Sequence, residues 1–253
     1  ISDENIRNSQ SGCVVQHSSI EEREHLQVYL RIRPFTSAES DNGESQVYGP
    51  ETTQGELFQG TVKDLVKDVL EGGNSLVFTY GVTNAGKTFT FLGPDADAGI
   101  LPRSLDVIFS SIDERVFTET TVKPHRCHEF TRLSRTQQAE EAAFKRNLFR
   151  QLKEVNGLFS VCKAEAHTKF SVWVSFCEIY NENIHDLLEA VPSGAPRRTA
   201  LRLSQDVKGN AFVKGHLRWV QVNSAEEAYK VMKLGKKNQS FSSTRLNQLS
   251  SRR

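Results

Sequence analysis

An α/β fold is what this sequence predicts, and three observations carry the prediction. Residues 76–80, Leu-Val-Phe-Thr-Tyr, are a short apolar, aromatic and β-branched run that reads as a buried strand. The run passes into Gly81-Val82-Thr83-Asn84-Ala85-Gly86-Lys87-Thr88, which fits G-x-x-x-x-G-K-[ST] without a mismatch, with a helix expected from Gly86 onward. Elsewhere, stretches alternating with period two are interleaved with stretches of helical period.

The central motif has a chemical logic. Gly81 and Gly86 let the backbone fold back so that successive N–H groups converge on phosphate oxygens. Lys87 brings a compact cation to the β/γ oxygens, and the Thr88 hydroxyl is placed to ligate Mg²⁺. Such a loop implies nucleotide binding. It does not say what hydrolysis would drive.

Composition excludes several classes. With 253 residues, 37% hydrophobic and 25% charged, the chain is long enough for one large domain or two small ones. Lys+Arg 32 against Asp+Glu 31 leaves no global basic field of the kind that marks a nucleic-acid binder. Cys13, Cys127, Cys162 and Cys177 are widely separated, which suits reduced thiols better than a disulfide framework. His125-Arg126-Cys127-His128 lacks a second ligand pair at a metal-site spacing. No stretch approaches the ~20 apolar residues of a membrane span, and no signal segment opens the chain, so a soluble intracellular protein is expected.

Taken in order, residues 1–24 are expected to be a flexible lead-in. In residues 25–34, Leu26, Val28, Leu30 and Ile32 alternate on one face and Arg31 and Arg33 on the other; this reads as a strand closed by Pro34. Residues 36–46 are loop-like. Thr53 to Glu56 has capping-box spacing, and Phe58, Val62, Leu65, Val66, Val69 and Leu70 recur at helical intervals until Gly72 and Gly73. After the phosphate-loop motif and an acidic turn at 93–99, Pro102 opens a helix with Leu105, Ile108, Phe109 and Ile112 inward.

Residues 118–168 are polar with a basic excess and read as an insertion lying on a compact domain and dispensable for the fold. The insertion holds one helix, capped by Ser134 with Gln137 at the box position and striped by Phe144, Leu148, Leu152 and Val155. Residues 170–180 alternate as a strand, residues 181–188 turn into a short helix, and a hairpin forms around Lys208-Gly209-Asn210. Residues 219–222 are a further strand. Ser224 caps a helix with Ala228, Val231 and Met232 inward, and residues 238–253 are loop-like.

Four stretches together resemble the kinesin motor head, over about residues 26–252. Arg31-Ile32-Arg33-Pro34 is similar to the family's first strand and adenine platform, and residues 80–88 to its phosphate loop. Residues 174–182 with Asp186-Leu187-Leu188 are similar to the signature after the insertion, and Asn247-Gln248-Leu249-Ser250-Ser251-Arg252 to switch I. The Val-Thr-Asn inside the loop and the long insertion resemble the sixth class, in its mitotic kinesin-like and M-phase phosphoprotein branch.

That resemblance implies a P-loop NTPase three-layer sandwich and an ATP-dependent, microtubule-stimulated motor with ATP and Mg²⁺ as cofactors. Arg31, Arg33 and Pro34 take the adenine edge. Residues 81–88 take the phosphates, Lys87, Thr88, Ser250 and Ser251 serve catalysis, and Thr88 and Ser251 serve the metal. The partner is tubulin in microtubules, with no nucleic acid and no membrane; a homodimer through a stalk and a cytoskeletal, spindle location are expected. Residues 25–253 then read as an amino-terminal part of the head, with an internal omission near 36–46 and no Asp-x-x-Gly switch II. Such a chain by itself is expected not to turn over ATP usefully. Two other readings stand beside this one: a non-catalytic nucleotide- or partner-binding remnant, and a P-loop enzyme unrelated to motors.

Overall fold

The computed structural model describes residues 27–31, 47–82, 84–94, 96–126, 129–152, 168–180, 182–189, 198–215 and 217–242. The chain divides into two compact units, 1–53 and 54–253.

In the first unit, β1 (Leu30–Arg31) pairs in parallel with β2 (Val47–Tyr48). The rings of Tyr29 and Tyr48 lie 6.2 Å apart, and the Arg31 guanidinium donates to the Thr52 carbonyl at 3.2 Å. The strand expected over 25–34 is therefore two residues long among those described. Its apolar face is in water, with Val28 79% and Leu30 53% exposed, because no described element covers that side.

The second unit begins with two short helices, α1 (Gln54–Thr61) and α2 (Lys63–Leu70), where one was expected. Their buried side is Leu57, Phe58, Val62 and Val66, and Gly72 ends the pair at φ +98°. Residues 73–81 have no regular secondary structure and join no ladder among the described residues. Leu76, Phe78 and Tyr80 are 83%, 64% and 96% exposed, so the buried strand read from the sequence is a solvent-facing segment here. A run of apolar residues says that a strand suits a covered surface; it does not supply the neighbours that cover it.

Helix α3 (Lys87–Phe91) follows the loop, and α4 (Ile100–Ile112) starts two residues before Pro102. The stretch read as an insertion holds a hairpin, β3 (Val122–His125) with β4 (Glu129–Arg132), and α5 (Arg135–Arg150). The expected capping box is formed: Gln137 N–H donates to Ser134 Oγ at 3.3 Å, and Ser134 N–H donates to Gln137 Oε1 at 2.9 Å.

Residues 170–180 are not one strand. β5 (Val172–Val174) pairs antiparallel with β10 (Val220–Val222), while β6 (Cys177–Tyr180) leaves that ladder to pair with β7 (Asn183–Asp186). β7 continues to β8 (Ala200–Gln205) and β9 (Ala211–Lys214) in a four-stranded antiparallel sheet, with the expected hairpin between the last two and Gly209 at φ +84°. The short helix expected over 181–188 is thus β7 and a bend. Glu182, at φ +62°, makes the reversal that a helix would not need.

Helix α6 (Ala225–Ser242) extends five residues into the stretch expected to be a loop. The core joins Phe109 and Ile112 of α4, Leu148 of α5, Leu188, Val220 and Val222 of β10, and Ala228, Val231 and Leu234 of α6. Leu148, 1% exposed, joins residues 118–168 to that core. Burying a side chain of this size contributes about 1.5–3 kcal/mol.

Candidate functional site

Backbone conformation builds the loop at 81–88. Gly81 sits at φ +154° and Gly86 at φ +86°, a left-handed residue preceding α3, while Asn84 takes φ +66°. A side chain at Gly81 would also meet the Ala85 methyl at 3.1 Å. These two glycines are where the chain reverses, as the motif requires. The Ala85 N–H closes a turn on the Val82 carbonyl at 3.1 Å. Thr83 lies outside the described residues.

Lys87 lies across the loop it follows. Its Nζ donates to the carbonyls of Gly81 and Val82, both at 2.8 Å. Thr88, the second residue of α3, is half-buried, and its carbonyl accepts the Leu92 N–H at 2.8 Å. At five residues, α3 is shorter than the helix expected from Gly86. The macrodipole effect is then a local matter of a few N–H groups.

What holds α3 in place was not apparent from the motif. Gln54, 1% exposed, donates its amide Nε2 to the Phe89 carbonyl at 2.5 Å. On the other side the chain returns against itself: Gly99 N–H donates to the Leu92 carbonyl at 2.9 Å, and a Cβ on Gly99 would meet three backbone atoms at 2.7 Å. Arg103 ties the start of α4 to the same turn through the Ala98 carbonyl at 2.8 Å and Asp97 at 3.0 Å. Tyr229 of α6 donates to the Pro102 carbonyl at 2.9 Å. Its phenol ionisation is driven well up, first by burial and then by the neighbouring Asp106 carboxylate.

Of the residues singled out in the sequence, Gly81, Val82, Asn84, Ala85, Gly86, Lys87 and Thr88 form one constellation in the second unit. Arg31 belongs to the first unit, where it is bonded to Thr52. Arg33, Pro34, Ser250 and Ser251 lie outside the described residues. The donor set present fits a polyphosphate: a turn with two positive-φ glycines, a hydroxyl at the second helical position, and an ammonium held, among the described residues, by carbonyl oxygens of the same turn. Among the described residues no cluster of three or more His, Cys, Asp or Glu could hold a metal by protein ligands alone.

Comparison with known proteins bears on the whole chain. The kinesin motor domain family matches residues 3–253. Kinesin-like protein KIF20B of Mus musculus is 41% identical over 93% of this chain and 17% of its own length. Kinesin-like protein KIF20A of Homo sapiens is 34% identical over 97% of this chain and 38% of its own. The chain therefore spans well under half of these relatives. The alignment to mouse KIF20B runs over 300 residues, more than this chain contains, so it includes positions at which the relative has residues and this chain has none.

Among solved structures, one described as kinesin 6 superposes with a TM-score of 0.65 at 31% identity, covering 87% of this chain and 62% of that one. A dimeric KIF14 head, in complex with AMP-PNP and a microtubule, superposes with a TM-score of 0.57 at 21% identity. The fold is that of a P-loop NTPase in its kinesin form.

Proposed function

The chain belongs to the kinesin motor-domain family, and from that premise we propose that it carries the nucleotide-binding part of an ATP-driven microtubule motor head of the sixth class. The observation that carries this reading is the Lys87 ammonium held by two carbonyls of its own glycine loop. Exchanging two neutral carbonyl acceptors for anionic phosphate oxygens adds the attraction of opposite formal charges to the charge-assisted hydrogen bonds that the ammonium already donates. In this reading Lys87 meets the β/γ oxygens, the backbone of residues 81–86 lines the phosphates, and the Thr88 hydroxyl and Ser251 hold Mg²⁺. The metal, when bound, neutralises phosphate charge. Ser250 and Ser251 sense the γ-phosphate, and Arg31, Arg33 and Pro34 form the adenine edge.

Tubulin as partner, a location on spindle microtubules and a dimer made through a stalk belong to the same proposal, and the microtubule bound by the KIF14 head supports the first of them. Lys87→Ala in the full-length gene product is the test. Microtubule-stimulated ATP turnover is expected to fall more than tenfold, since the transition state of phosphoryl transfer is held mainly by electrostatics. Retention of over a tenth of the wild-type rate, a loss under about 1.4 kcal/mol, contradicts the role given to Lys87.

A second reading, a non-catalytic nucleotide- or partner-binding remnant, is favoured by the solvent-facing segment 76–80 next to the loop. Wild-type protein that binds ATP but turns over none, with or without microtubules, would select it.

A further inference from the structure

Helix α5 meets the rest of its unit across a gap. Between it and the β5–β10 ladder lies a cavity of about 290 Å³, walled by Phe144, Phe149, Trp173 and Val220. Among the contacts that cross beside it are Leu148 in the core and Lys145, whose Nζ stands 2.6 Å from Glu227 Oε2. Glu227 is in the first turn of α6, and its side chain is 7% exposed against 22% for Lys145. The same Oε2 accepts the Asn223 N–H at 2.8 Å, while the Glu227 N–H donates to Ser224 Oγ at 3.1 Å. One carboxylate therefore both completes the N-terminus of α6 and carries the insertion. Two residues on, Tyr229 reaches Pro102 in the first turn of α4, and Gly99 before α4 is bonded to Leu92 at the end of α3, the helix that Lys87 opens.

We propose that Lys145 and Glu227 are positioning residues for the nucleotide: through this pair the insertion sets the seat of α6 on α4, and so of α3, and biases the site toward nucleotides carrying a γ-phosphate. The inference rests on the nucleotide-binding reading above. Because the pair is mostly withdrawn from water, its attraction is screened less than that of a surface pair. Removing Lys145 leaves a buried carboxylate with its charge uncompensated, and the first turn of α6 must shift to hydrate it. The cavity leaves open space on one side of α5 as that happens, so close packing does not resist the displacement there.

The test uses the full-length gene product. Dissociation constants for ADP and for a non-hydrolysable ATP analogue are measured by calorimetry, alongside the thermal midpoint. Lys145→Ala is expected to reduce the preference for the analogue over ADP about fivefold, the scale of coupling between connected sites. Lys145→Arg keeps the charge and should restore the preference to within about twofold. Glu227→Gln, which keeps an acceptor for the Asn223 N–H and loses the charge, should behave as Lys145→Ala does. An unchanged preference in both charge-removing variants overturns the inference even if the midpoint falls, since a strut that only stabilises the fold weakens both nucleotides alike. Wild-type protein that binds neither nucleotide overturns the nucleotide-binding reading and the inference with it, so the wild-type measurement tells the two failures apart.

Discussion

Gly235 and Asp186 show how opposing terms at one residue are decided by magnitude. Gly235 is buried in α6, where a Cβ would meet the Phe176 ring and its Cβ at 2.5–3.1 Å. Alanine in a helix interior is better than glycine by roughly 1 kcal/mol, whereas overpacking a closed site costs about 1–3 kcal/mol. The near end of the ring is what stands in the way, and it cannot swing clear without moving its backbone, so the second term wins. Gly235→Ala should lower the thermal midpoint by about 2–6 °C; a rise would mean that Phe176 repacks freely. Asp186, 1% exposed, accepts N–H groups from Leu188 at 2.8 Å and Arg218 at 2.7 Å. Burial raises its carboxyl above the ordinary 3.8 in spite of those two bonds. The folded chain then binds more protons than the unfolded one just above pH 3.8, and this group's contribution to stability falls as pH climbs through that window. Asp186→Asn removes the slope and turns an amide NH₂ toward one backbone donor, a loss of about 1–3 kcal/mol. Urea unfolding of both proteins should show a stability gap that is widest in acid and narrows toward neutrality. A gap independent of pH would show that burial does not govern this carboxyl.

For residues 118–168, the buried Leu148 argues against a segment that the fold could dispense with. Replacing residues 118–168 by a Gly-Ser linker removes Leu148 from the core, worth about 2–5 kcal/mol when such a side chain is deleted. It also strips the buried Gln221 of the Glu119 carbonyl and the Thr120 hydroxyl, at 3.3 and 2.7 Å. At about 2–4 °C per kcal/mol for a unit of this size, the thermal midpoint should fall by more than about 8 °C. A smaller drop would restore the surface position read from the sequence. Elements with local signals were legible: the Ser134 and Gln137 box, the Gly209 hairpin and the Gly72 stop are each specified within four or five residues. Residues 181–188 were misread because Ile184, Leu187 and Leu188 fall at i, i+3 and i+4 and imitate a helix face; pairing with β6 and β8 overrides that spacing. In the candidate site, the loop glycines and Lys87 were plain from their motif. Gln54 on Phe89 and Lys145 on Glu227 join residues 35 and 82 positions apart, and no local pattern records such a meeting.

At the scale of the molecule, Leu76, Phe78, Tyr80 and Val82, alternate residues of one segment beside the loop, form an exposed apolar stripe among the described residues. Residues 1–253 produced alone should self-associate at about 10–100 μM, as chains with exposed apolar surface and unpaired backbone do. Leu76→Lys with Phe78→Lys should return the sedimentation coefficient to the monomer value; persistence of the oligomer would place the contact elsewhere. The ladders also differ in how far apart along the chain their partners lie. Ser204 faces Phe212 across a loop closed by Asp206, which accepts the Lys208 and Asn210 N–H groups at 2.8 and 2.9 Å. Val174 must instead find Val220, about 46 residues away. Forming the hairpin takes microseconds and costs little chain entropy, whereas the distant pair forms only after a larger loop-closure entropy has been lost with few contacts in return. Assembly should therefore run from the hairpin outward, and in pulsed hydrogen exchange during refolding the amides of β8 and β9 should be protected before those of β5 and β10.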